Sequence, residues 1–211
     1  MLLARAEEDS IMIFKELEIN GAWLIEPEKQ NDSRGFFART WCQREFAAMG
    51  LTTAFVQCNI SFNKRKATLR GLHYQSEPHQ EVKLVRCTRG AAYDVILDLR
   101  KDSATFRKWI ATELSPENRH MLYIPAGVAH GFQTLKANTE MFYQMSEFYQ
   151  PEFACGVRWN DLAVNITWPM PKPFMSPKDR SYKDLEQAGG DSPISPGCHA
   201  ETIEDAGNNE R

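Results

Sequence analysis

The chain has no cysteine in a recognisable pattern. Cys42, Cys58, Cys87, Cys155 and Cys198 are five in number, and no two stand as C-x-x-C. An odd, unpatterned set argues against a disulfide framework and against a zinc site, and for a reducing compartment. A basic excess is missing too. With 25 Lys+Arg against 28 Asp+Glu, the net charge of −3 offers nothing to nucleic acid or to an anionic membrane. The local run Lys64-Arg65-Lys66 reads as a solvated turn. No apolar stretch reaches membrane-spanning length, and Glu7, Glu8 and Asp9 stand where a secretion signal would carry its apolar core. Cytoplasmic residence is the expectation. There is no G-x-G-x-x-G, no Walker loop, no internal repeat and no strand–helix alternation of the parallel-sheet kind.

What remains is an ordinary globular composition, 42% apolar and 25% charged, in 211 residues, enough for one domain with a sizeable core. Residues 1–11 read as a loosely held extension and 12–186 as the domain. Residues 187–211, rich in Gly, Ser, Pro, Asn and acidic side chains, read as a disordered tail. Within the domain a strand-like run starts at Met12 and reaches Ile25. Residues 43–49 suit one short helix with Phe46, Ala47 and Met49 on its apolar side. Residues 53–61 alternate like a strand, 62–67 read as a basic turn, and Pro171, Pro173 and Pro177 punctuate a loop that ends at Asp179.

The informative stretch lies between 69 and 135. Lys83, Val85 and Cys87 share one strand face. Asp94, Ile96, Asp98 and Arg100 share another, with Tyr93, Val95, Leu97 and Leu99 opposite, and Met141, Tyr143, Met145, Glu147 and Tyr149 form a third set. Short alternating segments joined by Gly, Pro, Asn and Asp turns indicate an antiparallel sandwich or barrel. His73, Arg70, Gln75 and Lys83 fall on elements that frame one polar cavity. Taken alone, His73 reads equally well as a turn histidine satisfying a hydrogen bond, and Tyr143 and Tyr149 as packing aromatics. Lys83 opens a strand on the face of Val85 and Cys87, where a lysine is buried and paired with an anion or neutralised.

Pro125-Ala126-Gly127-Val128-Ala129-His130 matches P-x-G-x-x-H, the second signature of cupin-type jelly rolls. The first signature, a His-x-His pair and a glutamate that bind metal, survives only as His73, His79 and Glu81, with Ser76-Glu77-Pro78 between the histidines. That spacing forces no convergence on an ion, so the expectation is a metal-free pocket needing no cofactor. A metal-dependent cupin oxygenase or isomerase using His79, Glu81 and His130 is the alternative. A non-catalytic binding or scaffold member of the fold is another.

At these residues the chain resembles the dTDP-4-dehydrorhamnose 3,5-epimerase family. The shared marks include Asp32-Ser33-Arg34-Gly35-Phe36-Phe37, Leu69-Arg70-Gly71-Leu72-His73-Tyr74-Gln75, Lys83-Leu84-Val85-Arg86, Ala129-His130-Gly131-Phe132, Trp159-Asn160-Asp161 and Ser176 with Lys178-Asp179. The resemblance implies an all-β, cupin-type double-stranded β-helix (a jelly-roll barrel) with a few short helices, working as a homodimer on a nucleotide-sugar. It implies His73 as the base that removes a proton beside a ketone, Asp179 as its partner, Lys83 at the enolate oxygen and Tyr143 as the acid on the far face. It assigns Arg34, Gln57, Asn59, Arg70, Asp94 and His130 to binding sugar and pyrophosphate, with Arg34 acting across the dimer, and Tyr149 and Phe36 to stacking on the base. The chain departs from the family pattern at Arg39, where a glutamate is usual, at Cys58 and at Val82.

Overall fold

A computed structural model describes residues 3–4 and 12–185. The tail expected at 187–211 and most of the extension at 1–11 lie outside the described residues, although Leu3–Ala4 pairs antiparallel with the first strand of the domain. In chain order the strands are β1 (Leu3–Ala4), β2 (Met12–Glu16), β3 (Trp23–Pro27), β4 (Gln30–Asp32), β5 (Gly35–Phe37), β6 (Gln57–Asn63), β7 (Leu69–Gln75), β8 (Lys83–Arg89), β9 (Ala92–Asp98), β10 (Trp109–Leu114), β11 (Met121–Ile124), β12 (Val128–Thr134), β13 (Thr139–Met145) and β14 (Ala154–Gly156). Two short helices, α1 (Gln43–Ala48) and α2 (Pro177–Ser181), complete the described elements with one 3-10 turn.

The strands form a seven-stranded sheet, β1-β2-β3-β11-β8-β13-β6, and a five-stranded sheet, β10-β9-β12-β7-β14, with β4–β5 as a separate hairpin. Every named strand pair is antiparallel. The two large sheets close on a shared core to which Val85, Leu122 and Met141 contribute from one side and Ile96, Val128 and Phe132 from the other. Alternation decides which side chains enter it. In β9, Ile96 points into this core while Val95 and Leu97 pack on the sheet's opposite face with Val157, Val164 and Ile166. In β8, Val85 and Cys87 point inward while Leu84 joins Phe14, Ile25 and Phe46 beneath α1. This is the jelly roll that the alternating segments require.

Three local expectations are corrected. The run from Met12 to Ile25 is two strands, folded back at Gly21, whose φ of +77° suits glycine. The strand expected at 53–61 starts at Gln57 and continues to Asn63. Phe55 is drawn out of line to pack against Trp41 and Phe46, with ring centroids 6.2 and 6.4 Å away. The loop ending at Asp179 contains α2, capped by the Ser176 hydroxyl, which accepts from the Asp179 N–H at 3.0 Å, and started by Pro177.

Candidate active site

Strand β7 carries the most side chains of chemical interest because it is irregular. His73 pairs with His130 on β12, yet Arg70 pairs with Phe132, so β7 accommodates one extra residue. The bulge puts Arg70 and His73, three apart, on the same side of the sheet, where regular alternation would oppose them. Gly71 makes this possible. Its φ is +126°, and a Cβ there would stand 2.5 Å from the Gly131 Cα.

Between the sheets lies a cavity of about 510 Å³, a size suited to a small organic ligand. His73 stands on its five-stranded wall, and its Nε2 is 2.6 Å from Asp179 Oδ1. The imidazole is half-open to the cavity while the Asp179 side chain is buried, so the carboxylate acts from behind the ring. Lys83 and Tyr143 come from the seven-stranded wall. The Lys83 ammonium is 2.7 Å from Glu81 Oε1 and donates to the His73 carbonyl at 3.0 Å, which leaves one N–H uncommitted. The other oxygen of Glu81 accepts the Gln75 N–H at 3.0 Å. Burial pushes the Tyr143 phenol above its ordinary value, with nearby Arg70 pulling the other way, so it stays protonated at neutral pH. Arg70 is itself oriented by Asn63, whose Oδ1 accepts from its Nε at 2.8 Å. Gln57 and Asn59 line the same cavity, their amides joined at 3.2 Å, and Tyr149 closes one side, its N–H on Gln57 Oε1.

The family model for dTDP-4-dehydrorhamnose 3,5-epimerase matches residues 16–187. The chain belongs to that family. It is 43% identical over 175 residues to the dTDP-4-dehydrorhamnose 3,5-epimerase of Sinorhizobium fredii, covering 82% of this chain and 90% of that one. Among solved structures it superposes on the enzyme of that name from Bacillus anthracis, with TDP and pyrophosphate bound. The TM-score is 0.81 at 41% identity, covering 82% of this chain and 99% of the other. It also superposes on the Legionella pneumophila epimerase in complex with dTDP-4-keto-L-rhamnose, at TM-score 0.80 and 36% identity, covering 90% and 100%. The fold is therefore cupin-type, and the chain is an enzyme of an isomerase family that acts on sugar nucleotides.

Against the set of residues that the epimerase resemblance singles out, His73, Asp179, Lys83, Tyr143, Gln57, Asn59, Arg70, His130 and Tyr149 all line this one cavity. Three do not. Asp94 is fully buried behind His130, whose Nε2 lies 2.9 and 3.0 Å from its two oxygens, so it meets the cavity only through that imidazole. Burial raises the Asp94 pKa, while His130 and Lys83 counter it. Arg34 and Phe36 stand on the β4–β5 hairpin, away from the cavity of their own chain. Arg34 is 88% exposed and paired with Asp32, and Phe36 lies between Lys29 and Arg119. Arg39 is turned back into its own chain, 2.8 Å from Glu45.

His79 and Glu81 also differ from a ligand set. The His79 ring packs on Phe153 at 4.5 Å, and Glu81 is committed to Lys83 and Gln75. Among the described residues no three His, Cys, Asp or Glu side chains gather where an ion could be shared. Reading the sequence missed Tyr182, which meets His73 edge-on at 5.8 Å, and the pairing role of Glu81. No pattern announces Tyr182. Glu81 stands two residues before Lys83, on the same side of an extended segment, which is a readable signal.

Proposed function

We propose that this chain inverts carbon 3, carbon 5 or both in a nucleotide-linked 4-keto-6-deoxyhexose, as in the conversion of dTDP-4-dehydro-6-deoxyglucose to dTDP-4-dehydrorhamnose. The 4-ketone acidifies the hydrogens on its neighbours. His73 removes one, with Asp179 fixing its tautomer and balancing the imidazolium. The uncommitted N–H of Lys83 meets the negative charge that grows on the carbon-4 oxygen. Tyr143 returns a proton to the opposite face, and the centre is inverted. Arg70, His130, Gln57 and Asn59 hold the sugar and pyrophosphate, and Tyr149 stacks on the base.

The supporting observation is opposition. His73 belongs to one sheet, Lys83 and Tyr143 to the other, and all three face a single cavity. A hexose lodged between the sheets meets a base on one face and an acid on the other. Stereochemical analysis of product and deuterium wash-in from heavy water test this. His73→Ala should fold and lose both turnover and exchange, and Tyr143→Phe should fold with turnover reduced by roughly 10²–10⁴-fold. Wild-type exchange in His73→Ala refutes the assignment of the base. A thermal-shift panel of dTDP-, UDP-, GDP- and CDP-sugars identifies the base, a question sharpened by Arg39.

The reading includes a homodimer. Cys58, Ile60 and Phe62 project outward from edge strand β6, with Ile60 63% exposed, and Phe142 pairs beside Ile60. The neighbouring Arg86 stacks on Phe142, and its buried Nε has no hydrogen-bond partner. A second copy covering this face buries the row and brings the hairpin's Arg34 to the neighbouring cavity. Light scattering should give twice the 24.2 kDa chain mass, falling to one chain in Ile60→Asp. A monomeric wild type refutes it.

A further inference from the structure

Asp179 reaches His73 on a segment with little structure of its own: α2 has only five residues. The segment is fastened at both ends. At its start the Phe174 N–H donates to the Ala67 carbonyl at 2.8 Å, and the Phe174 carbonyl accepts the Leu69 N–H at 2.9 Å. At its end Arg158 Nε donates to the Tyr182 carbonyl at 3.0 Å, and the Arg158 N–H reaches the Lys183 carbonyl at 3.3 Å. The last fastening is Asp161. Its carboxylate is buried, one oxygen accepting the Ala163 N–H at 2.8 Å and the other the Leu185 N–H at 2.6 Å. Tyr182, within the fastened stretch, packs its ring against His73 and directly over Gly156, the residue paired with His73 on β14. A Cβ on Gly156 would collide with that ring.

We infer that Asp161 is a positioning residue for proton abstraction. It ties down the end of the segment that carries Asp179, and so sets where that carboxylate meets the imidazole. A buried carboxylate that only closed a surface turn would need the Ala163 N–H alone. The second bond, 24 residues along the chain, is what couples it to the site. The inference rests on the reading of His73–Asp179 as the basic pair.

The test is a double-mutant cycle on the full chain, with kcat and KM measured for Asp161→Asn, Asp179→Asn and the pair, and folding followed by circular dichroism. The amide keeps the shape but can accept only one of the two N–H groups. Asp161→Asn should lower kcat by about ten- to a hundredfold with KM within about twofold. In the Asp179→Asn background it should cost less than about twofold, since the carboxylate it places is already gone. Fully multiplicative losses, or a raised KM with unchanged kcat, overturn the inference and leave the basic pair standing. Wild-type kcat in Asp179→Asn overturns the basic pair itself. If Asp161→Asn does not fold, Leu185→Pro carries the same cycle by deleting the N–H that the second Asp161 oxygen accepts. A kcat loss absent in the Asp179→Asn background supports the inference, and unchanged kcat refutes it.

Discussion

Replacing Lys83 with methionine separates two consequences that a single measurement would merge. The ammonium is nearly buried, and its partner Glu81 is more so. Methionine matches the length of the lysine stem and removes the charge. Glu81 then keeps one bond, from the Gln75 N–H, and loses the counter-charge at 2.7 Å. Breaking one side of a buried pair costs about 3–5 kcal/mol, which for a domain of this size lowers Tm by roughly 6–20 °C. On the proposed role of Lys83 as oxyanion donor, its loss should lower kcat by roughly 10²–10³-fold. The two losses have different cures. Adding Glu81→Gln removes the stranded charge while preserving an acceptor for Gln75, so the double variant should regain most of its Tm and none of its kcat. Scanning calorimetry and a product assay on the same three proteins decide. A double variant no more stable than Lys83→Met shows that packing, not an orphaned carboxylate, set the loss. Turnover within threefold of wild type in either variant removes Lys83 from the chemistry.

Two further outcomes follow from titrating groups. Burial opposes ionisation of Asp98, but bonds from Arg100, Ser103 and Thr105 outweigh it and hold the carboxyl well below its ordinary range. A carboxyl depressed in the folded state contributes its stability in full above the unfolded pKa near 4 and loses it as pH falls toward the folded value. Acid unfolding followed by circular dichroism should therefore show a Tm slope below about pH 4 that Asp98→Asn flattens, and an unchanged slope refutes this. Burial pushes the Cys87 thiol up to about 11. Iodoacetamide at pH 8 with peptide mapping should spare Cys87 in the folded protein and label it once urea unfolds the chain. Equal labelling of Cys87 before and after unfolding contradicts the packing around β8.

The alternation of Asp94, Ile96 and Asp98 against Val95 and Leu97 was legible because each face of β9 meets a different apolar layer. Where local preference and tertiary packing disagree, reading failed. Thr53 to Val56 has strand chemistry, yet Phe55 gains more by joining Trp41 and Phe46. The α2 helix was present in sequence as Ser176, Pro177 and Asp179, a cap and a first-turn proline hidden among loop prolines. The site is a harder case. His73 and Asp179 are 106 residues apart, so no spacing rule joins them, and only the family resemblance named them together. That resemblance also put Asp94 at the substrate, whereas the carboxylate lies buried against the His130 imidazole. It assigned Arg34 and Phe36 roles that a single chain leaves unfilled.

In the proposed mechanism the acid and the base arise from different sheets, so the gap between them is a property of the interior that props those sheets apart. Val85, Ile96, Phe132 and Met141 are the spacers. A core substitution that thickens or thins this layer resets the width of a caliper closed on the sugar ring. The first casualty of such a change is stereochemical fidelity, with the planar intermediate reprotonated from either side, well before the barrel loses its shape.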